Sequence, residues 1–78
     1  MTEQKIKQDI YIGANIREIR QRRCLKQTEL VSLMQLQGVS MTREALVKIE
    51  RGAQHIQASQ LRAIRDALET TYDELLGS

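Results

Sequence analysis

The sequence has no proline, no phenylalanine and no tryptophan, and only two tyrosines, one cysteine and one histidine. Each shortage removes a class of answer. Without large aromatics the core must be aliphatic, and a 41% hydrophobic content carried by Leu, Ile, Val, Met and Ala suits short packed helices. A lone Cys24 excludes an internal disulfide, and one cysteine with His55 as the only histidine argues against a zinc site. Cys24 is expected to pack rather than react, in a reducing, cytoplasmic setting. No apolar run approaches the ~20 residues of a bilayer span. The polar opening MTEQKIKQD has no apolar stretch of the signal-peptide kind, so no membrane association is expected.

Enzyme chemistry is also poorly represented. His55 has no Ser or Cys with an acid grouped around it, and reads as a loop residue. Asp73 and Glu74 resemble a carboxylate pair, but their place in the first turn of a helix accounts for them through the macrodipole. There is no glycine loop to cradle a phosphate and no metal-ligand spacing. Neither catalysis nor a cofactor or metal is expected.

What is present points to one small helical domain. Seventy-eight residues hold one core and not two. Glycines at 13, 38, 52 and 77 read as punctuation between helices. The net charge of +2 is unevenly spread: Arg17 to Arg51 carries eight basic residues against four acidic, and Gly52 onward two basic against four acidic. The positive field is therefore local to the middle of the chain.

Apolar spacing predicts an all-α fold of five helices. Residues 1–10 lack firm periodicity and read as a flexible lead-in to a domain over 11–76. The first helix runs from about Tyr11 to Arg23, with Ile12, Ile16 and Ile19 inward, Arg20 beside them, and Arg23 either snorkelling or at the helix end. The second runs from about Gln27 to Leu36, burying Leu30, Leu33, Met34 and Val31, and stops at Gly38. Thr42 caps the third, which closes at Gly52. The fourth, about Ser59 to Glu69, buries Leu61, Ile64 and Leu68. Thr71 caps the fifth, Glu74 reaches back in a capping box, and Leu75 and Leu76 pack against the rest.

The stretch TREALVKIERG sorts sharply around its helix. Ala45, Leu46 and Ile49 share one arc, while Arg43, Glu44, Val47, Lys48 and Arg51 share the other. Glu50 falls on the seam beside the apolar arc, where a carboxylate needs a partner.

Together YIGANIREIRQRR, KQTELV, MTREALVKIERG, LRAIRDAL and TYDELL resemble the phage-repressor-like helix-turn-helix family, the XRE/Cro/C1 type of five-helix DNA-binding domain, over about residues 11 to 76. The resemblance implies a lambda-repressor-like fold and a sequence-specific regulator of transcription, a repressor, that reads double-stranded DNA with the third helix. The physical reading agrees: a major groove admits one helix, with its N-terminal residues against base edges. On the outward arc Arg43 suits guanine, Glu44 a cytosine amino group, Val47 a thymine methyl and Lys48 guanine or phosphate, while Thr42 opens that helix. Gln27 matches the family residue that meets a phosphate, and Arg51, Gln54 and His55 are further candidates for backbone contact. The family pattern also pairs Glu50 with Arg20. Three departures stand out: the connection LQLQGVSM is longer than the usual turn, Val31 stands where alanine is usual, and Cys24 where glycine often ends the first helix.

The resemblance further implies twofold pairing on half-sites about 34 Å apart, and the expected surface is the C-terminal end, where Tyr72, Leu75 and Leu76 supply more apolar side chain than one short helix can bury. Two alternatives share the fold: an antitoxin or controller protein that also binds a partner protein such as a toxin, and a helical protein-interaction module without DNA binding.

Overall fold

A computed structural model describes the backbone of residues 2–77 and the side chains of residues 12–77. Five helices follow one another, α1 (Thr2–Arg22), α2 (Gln27–Leu36), α3 (Arg43–Glu50), α4 (Ala58–Leu68) and α5 (Tyr72–Leu76), with no strand among the described residues. The architecture is all-α. α1 packs against α5 and α3, and α2 against α4 and α3. Between them lies one aliphatic core in which Ile16, Leu30, Met34, Leu46, Ile64 and Leu75 are fully enclosed. Among the described residues no helix is long and apolar enough to cross a membrane.

The first helix starts at Thr2 rather than at Tyr11. The lead-in carries no apolar stripe, but TEQKIKQD is built of good helix formers and contains no glycine or proline, so nothing stops the helix from extending backward. Its side chains, and the mobility expected of residues 1–10, lie outside the described residues.

Gly13 corrects a second expectation. It is not punctuation; it sits inside α1, buried where that helix crosses the end of α3. A Cβ built there overlaps the Ile49 carbonyl oxygen and lies 3.1 Å from the Ile49 carbonyl carbon and 3.2 Å from that of Glu50. The contact is backbone against backbone, which only a residue without a side chain permits.

Four helices end in the same way. The residue after the last turn turns left-handed while two N–H groups fold back onto carbonyls of the final turn. After α2 these bonds are Gly38 N–H to Gln35 and Val39 N–H to Met34; after α3, Gly52 N–H to Ile49 and Ala53 N–H to Lys48. After α1 and α4 the turning residue is not glycine: Cys24 has φ 58° and Glu69 φ 53°. Cys24 is exposed, not packed as expected, because the left-handed turn points its side chain away from the core. Cys24→Gly should raise stability by about 0.5–1 kcal/mol, the strain relieved less the extra chain entropy of glycine. Denaturant unfolding checks this, and a lower midpoint would contradict it.

Details of burial differ from the spacing. Leu33 and Leu61 are half-buried, Leu36 is 82% exposed and Leu76 48% exposed, while Met41, in the α2–α3 connection, is 4% exposed. Arg23 lies just past the end of α1 and is exposed; it donates to the Glu69 carbonyl at 2.8 Å. Thr71 caps α5 by accepting from Glu74 N–H at 3.1 Å. The expected return bond is redirected: the Glu74 carboxylate accepts from the Thr70 hydroxyl.

Candidate nucleic-acid interface

The geometry begins with Glu50, the acid at the seam. It is buried at the end of α3 beside Arg20, likewise buried on α1. Arg20 Nε donates to Glu50 Oε2 at 2.8 Å and Nη2 to Oε1 at 3.1 Å, a fork on a carboxylate. Its remaining arm, Nη1, donates to the Leu25 carbonyl at 2.8 Å. Gln27 Nε2 adds a bond to Glu50 Oε1 at 3.0 Å. The cluster thus joins α1, the α1–α2 turn, the start of α2 and the end of α3. No buried side-chain nitrogen or oxygen among the described residues lacks a partner, which is the condition under which buried charge is tolerable.

With its inner edge held, α3 presents its other face outward. Thr42 caps the helix, accepting from Ala45 N–H at 3.1 Å. Arg43, Glu44, Lys48 and Arg51 are exposed and Val47 half-buried. The outward arc read from the sequence is therefore a solvent-facing surface carrying mixed charge. Among the described residues none of its three cations enters a salt bridge; Arg20, Arg23 and Arg65 are the arginines that do.

Beside this face, a cleft between the helices is lined by Arg17, Arg20, Lys26, Gln27, Thr28 and Arg43, with Gln21 completing it and no acid. Arg20 is committed to Glu50, but the charged side chains of Arg17, Lys26 and Arg43 form no salt bridge with a described acid. The start of α2 opens into the same cleft. Lys26 holds the N-cap position with a side chain that cannot accept, so the N–H groups of the first helical turn have no capping acceptor, while the Glu29 carboxylate accepts from the Lys26 N–H at 2.7 Å. Unpaired cations and aligned N–H groups form a site suited to an anion.

Gln27, whose amide the resemblance aims at a phosphate, also donates one N–H to Glu50. The cationic groups beside it are Arg17 and Lys26, which sequence reading counted only as charge. Arg17 was legible in principle, because it stands one turn before Arg20 on α1 and so shares its side of the helix. Lys26 and Thr28 become visible only when α1 and α3 close around the start of α2.

On the far side of the α3 start, a second groove runs between the α2–α3 connection and α4, touching Thr42, Ala45 and Arg62. At the other end of the domain, Tyr72 is 38% exposed with Arg65 4.6 Å over its ring. Leu75 is fully buried and so is not part of an outer surface; Tyr72 and Leu76 are. Among the described residues no cluster of His, Cys, Asp or Glu could hold a metal ion. Searches of protein-family models, curated proteins and solved structures find no match to this chain.

Proposed function

We propose that the chain is a helix-turn-helix domain that binds double-stranded DNA in a sequence-specific way and regulates transcription as a repressor, with α3 in the major groove. One observation carries the reading: the outward face of α3 and the basic cleft beside it hold Arg17, Lys26, Arg43, Lys48 and Arg51, none of them in a salt bridge with a described acid. Cations left without an acid on one face, beside the start of a helix, match a polyanion that supplies the missing charge. Glu44 on the same face repels phosphates, which favours base reading over simple adhesion. The resemblance of KQTELV and MTREALVKIERG to the phage-repressor-like family supports the same assignment.

In this reading Arg17, Lys26 and the α2 start hold a phosphate, while Arg43, Glu44, Val47 and Lys48 face base edges. Tyr72 and Leu76 supply an apolar surface for a second copy, so that two α3 helices read an inverted repeat. A partner protein, as an antitoxin or controller would have, finds a different surface in Leu36, 82% exposed at the end of α2. Selection of bound duplexes from a random pool tests the reading: one preferred sequence should emerge, with dyad symmetry if the chain binds as a pair.

A further inference from the structure

The connection from α2 to α3 is long, yet it is not slack. Gln35 Nε2 donates to the Met41 carbonyl at 3.0 Å and Gln37 Nε2 to the Ala63 carbonyl at 2.9 Å. Met41 is buried and Val39 packs against the core. These contacts make residues 37–42 a fixed wall facing the start of α4. The groove between wall and helix is lined by Ser40, Thr42, Gln57, Ser59, Gln60 and Arg62 among others, with one cation and no carboxylate. Arg62 is exposed and forms no salt bridge with a described acid. Hydroxyl and amide groups around one guanidinium match a singly charged phosphodiester.

The groove and the basic cleft lie on either side of one helix start. Arg43 lines the cleft, whereas Thr42 and Ala45 line the groove. A helix with its side chains is about 10–12 Å across, and the major groove is about 12 Å wide between the strands that border it. A helix seated there has one strand at each flank.

We infer that the groove between the α2–α3 connection and α4 binds the sugar–phosphate backbone of the strand opposite the one held in the basic cleft, with Arg62 pairing its phosphate. The inference rests on the duplex reading above. It makes the long connection a contacting element, with Ser40 as a hydroxyl donor from its wall.

The test uses the selected duplex carrying single uncharged methylphosphonate linkages, moved one at a time along each strand. Wild type, Lys26→Ala and Arg62→Ala are titrated against the set at several salt concentrations. Each variant should bind about tenfold more weakly, with a salt slope lower by about one. Each should also lose its sensitivity to linkages on one strand only, and the two variants on opposite strands. Arg62→Lys, which keeps the charge, should retain the wild-type slope, and circular dichroism checks that every variant is folded. If Lys26→Ala is weakened while Arg62→Ala keeps wild-type affinity and slope, the inference fails and the duplex reading stands. Loss of sensitivity on the same strand in both variants also overturns it. A wild-type chain that binds no duplex overturns both.

Discussion

Glu50→Gln is expected to lower stability by about 3–5 kcal/mol, the cost of removing one charge from a buried pair. The carboxylate side chain is 2% exposed and the guanidinium 10%, so water cannot replace the lost partner. The neutral amide leaves Arg20 buried with its charge uncompensated, and in either orientation its NH2 group faces an Arg20 donor. A domain of this size has about 4–12 kcal/mol in all, so the variant should be partly unfolded at ambient temperature or melt far below wild type. An exposed pair would be worth about 0–1 kcal/mol, and the two cases are well separated. Replacing both partners, Arg20→Met with Glu50→Leu, removes the charges together and should cost less than Glu50→Gln alone. Denaturant unfolding measures all three chains. An unchanged midpoint for Glu50→Gln would show that the pair does not hold α3 to α1.

Gly13→Ala should be the second large loss, with a sign opposite to helix propensity. In an exposed helix the change would gain about 1 kcal/mol. Here the added methyl meets the Ile49 carbonyl and the carbonyl carbons of Ile49 and Glu50 at 3.1 and 3.2 Å. Backbone cannot swing aside as a flexible side chain can, so α1 and α3 must move apart. Overpacking of this kind costs about 1–3 kcal/mol, occasionally more, and the Arg20–Glu50 fork spans the same two helices and would be stretched with them. The same denaturant unfolding decides it: a Gly13→Ala chain as stable as wild type would mean the crossing is looser than its geometry.

These two sites show what the sequence could and could not disclose. The bounds of α2, the Thr42 and Thr71 caps and the inward arc of α3 were legible because each is a local matter of period and cap chemistry. Glu50 was legible as a problem, a carboxylate on an apolar seam, and the resemblance supplied Arg20 as its partner. Gly13 was misread because the reason for it lies across the fold, in the backbone of Ile49. Leu36 and Leu76 hold apolar positions yet face solvent, since each sits near a helix end beyond the reach of the core. The burial of Met41, 4% exposed, has no local signal, because a residue in a connection is covered only by how the fold closes over it. The donation of Gln27 to Glu50 at 3.0 Å is not legible in the sequence, because it is set by the closure of three helices.

If the outward face of α3 reads bases, Arg43 is the side chain whose loss shows it. Bound duplexes are selected from a random pool by wild type and by Arg43→Ala, and each chain is then titrated against the wild-type site. Wild type should enrich one sequence. Arg43→Ala should bind that site about 1–3 kcal/mol more weakly and lose its preference at one base pair per half-site while keeping the others. Equal affinity and the same selected sequence from both chains, or no enrichment by wild type, would contradict it.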